Sequence, residues 1–307
     1  MENDLAKKKA IFFLKMIFSA TLLYLIIAQI NTDEISEAFS KSDFKILSIV
    51  FALSFFNIYL QFAKWKIISA SYLNENNNSK IFKSLMMGFA AGILTPARVG
   101  EFAGRAYPLR NKDITAIAVA TFLDKIIAMI FIFLIGFASA FYLFGDKIIF
   151  SSGSVLIFII AATIFLGALV LINRKRKEGF RNIISLKNLF TKISHLKKLE
   201  RKLFFKLSLV SFVFVMIYLF QFSLLISAFT GIGDYVLFFW VGASVMFTKT
   251  FLLPFGFGDL GVREGAAVYF LSLLGYSGAA GFSASILLFV VNLLIPAFIG
   301  LIFFLKK

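Results

Sequence analysis

The chain has 307 residues, 60% of them hydrophobic, with 42 phenylalanines, no cysteine and a formal net charge of +16. A soluble domain is roughly half apolar; here the excess falls in blocks long enough to cross a bilayer, which excludes a soluble enzyme. The basic residues sit in short segments between those blocks, the pattern of cytoplasmic loops and not of a nucleic-acid footprint, and the missing cysteine excludes disulfides and Cys-ligated metal.

In chain order, the basic segment Met1–Ala10 leads into an apolar run at 11–30, which predicts a retained first span and not a cleaved signal. The loop 31–45 is mainly acidic, with Asp33, Glu34, Glu37 and Asp43 against Lys41 and Lys45. A second span is expected at 46–70, followed by a basic segment, 64–83, that carries Lys64, Lys66, Lys80 and Lys83 against Glu75. A short apolar stretch, 81–95, runs into a Pro/Gly-rich motif and then a second short stretch, 100–110. Spans follow at 114–143 and 154–172. Asp124 and Lys125, adjacent in the first of these, read as a local ion pair near its inner end.

The segment 173–206 holds twelve Lys/Arg against Glu178 and Glu200. Leu186, Leu189, Phe190, Ile193, Leu196, Leu199 and Leu203 recur in it at three- and four-residue steps, which predicts a basic amphipathic helix on the anionic inner leaflet. A span at 205–230, a broken pair at 235–253 and 260–274, and a last span at 279–304 complete the chain. Basic loops face the cytoplasm, so both termini and 173–206 are expected inside, and 31–45 and 144–153 outside.

The two broken pairs carry related motifs. Pro96, Gly100, Glu101 and Arg105 recur as Pro254, Gly258, Asp259 and Arg263, all at an offset of 158 positions. The spans and short stretches on either side map at nearly the same offset. The chain is therefore expected to be one all-α membrane domain of two halves, about 1–150 and 151–307. Each half would hold two spans, a re-entrant hairpin and a third span. Three crossings per half is odd, so the second half would lie inverted, as in alternating-access transporters. The other arrangement that fits the hydropathy is eight plain spans.

The motifs concentrate charge where charge is costly. An arginine at the bilayer centre costs roughly 2.5–3.5 kcal/mol on insertion scales, so each needs a partner. Arg98 and Arg105 have Glu101 nearby, and Arg263 has Asp259 and Glu264. Acid and base four apart share one helix face. A helix that starts after a Pro/Gly break turns free N–H groups toward the break, a favourable place for an anion, and arginine suits bidentate phosphate contact. Gly104, Gly256 and Gly261 complete the small residues that let the hairpin arms approach. Lys249, in an apolar stretch five residues before Pro254, is expected either to meet an anionic head group or to snorkel. Asn57, Gln61, Gln221 and Asn292 are expected to hydrogen-bond between helices. His195, the one histidine, has no metal-ligand spacing around it. No P-loop, nucleophile elbow or HExxH is present, so no catalytic residue, metal or cofactor is expected.

At Pro96, Arg98, Gly100, Glu101 and Arg105, and at Pro254, Gly258, Gly261, Val262, Arg263 and Glu264, the chain resembles the transmembrane (flippase) domain of bacterial lysylphosphatidylglycerol synthases and its stand-alone relatives. The second motif departs from that family's pattern, with Phe255-Gly256-Phe257-Gly258-Asp259 in place of a Pro-Gly-Gly core. The resemblance implies movement of a lipid between leaflets of a bacterial or archaeal cytoplasmic membrane. The chain ends soon after its last span, so lipid synthesis by a soluble domain is not expected of it.

These readings together predict a transporter for a phosphate-bearing lipid. Arg98, Arg105 and Arg263 would bind phosphate, joined by Lys249. Glu101, Asp259 and Glu264 would hold the arginines or meet a cationic head group. Two alternatives remain at the sequence level. One is a membrane subunit that recruits an envelope lipid or glycan synthesis enzyme through 173–206. The other is a membrane enzyme that acts on a polyprenyl phosphate. The expected partners are anionic membrane lipids, with an envelope-biosynthesis enzyme under the first alternative.

Overall fold

A computed structural model describes residues 32–40, 42–95, 98–148, 201–252 and 261–305, and all regular structure among them is helical. The helices are α1 (Thr32–Ser40), α2 (Phe44–Tyr72), α3 (Asn78–Ile93), α4 (Gly100–Ala106, continued by a 3-10 turn Tyr107–Leu109), α5 (Ile114–Ile148), α6 (Arg201–Thr230), α7 (Tyr235–Leu252), α8 (Val262–Leu273) and α9 (Gly278–Phe289). A π turn, Val290–Leu294, joins α9 to α10 (Ile295–Leu305). Five stretches among the described residues are long and apolar enough to cross a bilayer: Phe44–Tyr72, Ile114–Leu143, Lys202–Thr230, Tyr235–Leu252 and Gly278–Leu305. The chain is a multi-pass membrane protein.

Four of the six spans expected from hydropathy coincide with four of these five. The expected spans at 11–30 and 154–172 lie outside the described residues, as does most of the basic segment 173–206, whose end opens α6. The fifth stretch, Tyr235–Leu252, was expected as one arm of a hairpin, and by length and composition it could cross unaided. Its counterpart α3, at 16 residues, is shorter than the roughly 20 needed for a span. The acidic loop expected at 31–45 contains the short helix α1.

Local chemistry sets where α2 and α3 begin. Asp43 caps α2, its carboxylate accepting from the N–H of Lys45 at 2.8 Å and of Ile46 at 3.4 Å. Asn77 caps α3, accepting from Ser79 and Lys80. Both satisfy backbone donors that the first helical turn leaves over. The polar residues of α2 lie on its buried side: Ser54, Asn57 and Lys64 are buried with Val50, Leu60, Trp65 and Ile68, while Phe51, Phe55, Phe56 and Tyr59 are exposed. Hydrocarbon solvates phenylalanine, so a lipid-facing helix turns its polar side toward its neighbours.

α2 and α6 run antiparallel. Gln221 donates to the Val50 carbonyl at one end of the contact, and Lys64 lies over the Phe214 ring farther along. Beyond Val50, Phe39 of α1 meets Phe229. The C-terminal end of α2 therefore lies beside the N-terminal end of α6.

Each of the pairs α3–α4 and α7–α8 doubles back to where it began. Lys112, just past α4, donates to the Asn74 carbonyl, just before α3, at 2.8 Å. Tyr276, just past α8, packs its ring against Phe238 in the first turn of α7. The first pair opens at the α2 C-terminal end of the bundle and the second at the opposite end.

The two pairs are then clasped by helices from the other half of the chain. α3 packs on α10, and α7 packs on α5. A glycine stands at each crossing. A Cβ on Gly300 would lie 2.0 Å from the Met86 carbonyl oxygen, and one on Gly136 would lie 2.5 Å from Phe247 Cβ. Within the first pair, a Cβ on Gly104 would lie 2.3 Å from the Met87 carbonyl oxygen.

These contacts predict the effect of added methyl groups. Gly104→Ala and Gly300→Ala each force backbone apart, and overpacking of this kind costs about 1–3 kcal/mol. Both variants should melt at lower temperature than the parent in detergent. Gly145→Ala meets open space and, in a helix, should hold or raise the midpoint, since alanine is favoured over glycine there by roughly 0.5–1 kcal/mol.

Candidate functional site

The returning tip of the α3–α4 pair is held by short-range bonds. The Gly100 N–H donates to Thr95 Oγ1 at 2.7 Å, and the Thr95 hydroxyl bonds back to the Ala91 carbonyl at 3.2 Å. Trp65 Nε1 donates to Ser84 Oγ, whose hydroxyl donates to the Arg105 carbonyl at 2.7 Å. α4 is thereby fixed to α3 and α2. Gly88 leaves space for the arginine: a Cβ there would stand 2.7 Å from Arg105 Cγ. Arg98, at the tip, adopts φ +57°, a left-handed conformation uncommon for arginine and typical of constrained functional positions.

Seven charged groups converge on this tip and the helices beside it. Glu101 accepts from Arg105 Nη2 at 2.7 Å and Lys125 Nζ at 2.6 Å, and pairs with Arg98 Nη2 at 3.1 Å. Asp124 pairs with Arg105 Nη2 at 2.8 Å and with Lys64 Nζ at 3.0 Å. The Arg105 guanidinium also stacks on Trp65, 4.3 Å from the ring centroid. Glu101 and Arg105 are both 2% exposed. Even so, Arg105 Nε and Nη1 are buried with no hydrogen-bond acceptor among the described residues.

The seventh group, Lys249, lines the same cavity from α7. This cavity, of about 230 Å³, is bounded by Gln61 and Lys64 of α2, Arg98, Glu101 and Arg105, Asp124 and Lys125 of α5, Tyr218 of α6, Lys249 and Thr250 of α7, Arg263 of α8, and Asn292 in the π turn. Among the described residues its charged lining is six cations, Lys64, Arg98, Arg105, Lys125, Lys249 and Arg263, against two carboxylates, Glu101 and Asp124.

Arg263 is held differently from Arg105. It pairs with the adjacent Glu264, donates to Ser285 Oγ at 2.9 Å, and lies over the Phe289 ring. Glu264, fully buried, also accepts the Gly261 N–H at 2.7 Å and the Ser285 hydroxyl at 3.3 Å. It stands behind Arg263 and is not among the residues that line the cavity. Gly261 begins α8 at φ +92°, a backbone region that glycine adopts without strain.

Of the residues singled out from sequence, Arg98, Glu101, Arg105, Lys249 and Arg263 are brought to one cavity. Asp259, with Pro96, Pro254, Gly256 and Gly258, lies outside the described residues. Gly100 and Gly104 make the close packing of the tip. One expectation is corrected. Asp124 and Lys125 do not pair with each other, because consecutive helix residues point about 100° apart; they serve Arg105 and Lys64 on one side and Glu101 on the other. At each helix start one N–H is taken within the chain, that of Gly100 by Thr95 and that of Gly261 by Glu264.

Sequence reasoning missed Lys64, Asp124 and Lys125. Lys64 had been grouped with the basic segment 64–83, although it follows Asn57 and Gln61 at seven and three residues, the spacing of one helix face. The interhelical role expected of Asn57, Gln221 and Asn292 is met: Asn57 donates to both Gln221 and Asn292 at 3.1 Å, joining α2, α6 and the π turn.

The pairing pattern predicts an order of stabilities. Glu101→Gln removes a counter-charge shared by three cations, and loss of a buried partner costs about 3–5 kcal/mol. Arg105→Gln leaves Glu101 with Arg98 and Lys125, and Asp124 with Lys64, so its loss should be nearer 1–3 kcal/mol, the range for a buried polar partner. Thermal melts of the two variants should therefore rank Glu101→Gln below Arg105→Gln.

Comparison with known proteins places the chain. No protein with a curated description matches it. Residues 12–300 match the family model described as the lysylphosphatidylglycerol synthase TM region. With nearly its whole length covered by that match, the chain belongs to the lysylphosphatidylglycerol synthase transmembrane-region family.

Proposed function

We propose that this protein is a transporter, not an enzyme, that moves a phosphate-bearing lipid between the leaflets of a bacterial or archaeal cytoplasmic membrane. The observation that carries the reading is the cavity, where six cations meet two carboxylates among helices that cross a bilayer. Charge away from water is costly, and the negative charge of a phosphate suits a described lining in which cations outnumber carboxylates. It also supplies acceptors for Arg105 Nε and Nη1, which otherwise stay unsatisfied at about 1–3 kcal/mol for such a buried donor. Family membership supports a lipid-related role.

The architecture we infer is two inverted repeats with re-entrant hairpins, α3–α4 and α7–α8. Three observations support it. Both pairs return to their own starting end. They open at opposite ends of the antiparallel α2 and α6. Each is clasped by the last span of the other half through a glycine. Such an arrangement suits rocking of the halves about a central site.

Orientation follows from charge. Lys80, Lys83, Arg110, Lys112, Lys202 and Lys206 outnumber Glu75 and Asp113 at the end where α3–α4 opens, and Glu37, Asp43 and Asp234 outnumber Lys45 at the other. The basic end is then cytoplasmic, with both chain termini and the segment 173–206 on that side, in reach of anionic lipid.

Two tests follow. Single cysteines at Asn78 and Asn111 should label from the cytoplasmic side, and cysteines at Gly233 and Tyr276 from the outer side. Asn78 and Asn111 labelling from opposite sides would sink the hairpin.

Purified protein in vesicles should speed transbilayer movement of phosphatidylglycerol or of a polyprenyl phosphate. Arg105→Gln should reduce that rate at least tenfold in a protein that remains folded. Arg105→Lys should also reduce it, because an ammonium cannot make the planar two-donor contact. No movement of either lipid by the folded parent protein overturns the proposal, and normal movement by Arg105→Gln ends the phosphate role of that residue.

A further inference from the structure

The cationic cavity continues into a second, apolar space of about 150 Å³ between α5 and α7, lined by Met129, Ile132, Phe133, Phe247, Thr250 and Phe251. Met129, Ile132 and Thr250 line both spaces. Beyond this slot the same two helices are closed. Gly136 brings Phe247 against the α5 backbone, Ser139 and Ser244 share a hydrogen bond of 2.9 Å, and Tyr142 stacks on Trp240 at 5.2 Å. The seam is thus zipped on one side of the cavity and open beside it. Phe251, in the lining of this slot, is 40% exposed on the apolar outer surface.

From this continuity we infer that the α5–α7 slot holds the hydrocarbon chain of the lipid whose phosphate sits in the cavity, and that the substrate enters sideways through it. The inference rests on the cavity being a lipid-phosphate site. A phosphate bound among Arg98, Arg105 and Lys249 must keep its tail out of the charged lining, since burying polar groups against hydrocarbon without partners is costly. The apolar slot is the neighbouring space that removes this conflict. A tail lodged there remains in the bilayer while the head group occupies the protein. The substrate class is therefore a phosphate ester with at least one long chain, and a free phosphate or a water-soluble phosphate ester would gain nothing from the slot.

The cysteine-free chain allows the slot to be plugged after folding. Phe133→Cys is purified, tested, then labelled with pyrene maleimide and tested again. Phe251→Cys serves in the same way should the first variant not fold. Phe55→Cys, on the lipid-facing side of α2, receives the same label as a control. The long probes are dioleoylphosphatidylglycerol and undecaprenyl phosphate in phosphatidylcholine vesicles, and the short ones are dihexanoylphosphatidylglycerol and geranyl phosphate in detergent. After labelling at 133, binding and movement of the long probe that the parent handles should fall at least tenfold, while binding of its short analogue changes less than twofold. Labelling at 55 should change neither. Which long probe responds tells a glycerophospholipid from a polyprenyl phosphate. Undiminished movement after labelling at 133 overturns the slot and leaves the cavity reading standing. Equal loss of short and long probes also overturns it, since the label would then be blocking the head-group cavity. A parent protein that binds none of the four ends the cavity reading, and this inference with it.

Discussion

Glu101 is the counter-charge on which the first half of the bundle depends. A carboxylate surrounded by hydrocarbon-solvated helices is tolerated only with partners, and Glu101 draws three, Arg98 and Arg105 from its own hairpin and Lys125 from α5. Arg105 in turn reaches Asp124, and Asp124 reaches Lys64 on α2. One chain of alternating charge therefore ties α2, α4 and α5 together at the depth of the cavity. Removal of its central member would take a counter-charge from three cations at once.

The second motif solves the same problem by another route. Arg105 and Arg263 stand at the common offset of the two sequence motifs, and both are almost fully buried. Arg105 borrows its carboxylates from a neighbouring residue and a neighbouring helix. Arg263 uses Glu264 beside it, with Ser285 of α9 closing the contact. The two motifs thus place their charge differently. Among the described residues the first half contributes two carboxylates and four cations to the cavity lining; the second half contributes Lys249 and Arg263.

Much of this was legible because the bilayer simplifies the reading. Runs such as 114–143 and 279–304 can be little else than spans, and the Glu101–Arg105 spacing identifies partners because residues four apart share a helix face. The amides Asn57, Gln221 and Asn292 were readable for the same reason, as polar atoms with no water to satisfy them. The network around Asp124 was not readable. Its members come from three helices, and sequence spacing carries no information on which faces of separate helices meet. Lys64 was obscured differently: hydropathy groups it with the basic residues that follow, whereas α2 runs on to Tyr72 and buries Lys64 beside Ser54 and Asn57. The direction of the two hairpins followed from contacts at their ends, such as Lys112 with Asn74, which hydropathy does not encode.

The π turn at Val290–Leu294 can be regarded as an insertion. Ile295 donates to the Val290 carbonyl, five residues back, and Pro296, with no N–H, has no donor to restore the ordinary ladder. One extra residue in a helix turns everything beyond it by about 100°. α9 presents Ser285 and Phe289 to Arg263, and α10 presents Gly300 to α3, so one continuous rod serves two interfaces that an unbroken helix of this sequence would aim differently. Loss of a single codon anywhere from 290 to 294 would leave a helix of nearly the same length and hydropathy whose glycine no longer meets Met86, a lesion that topology prediction would not register.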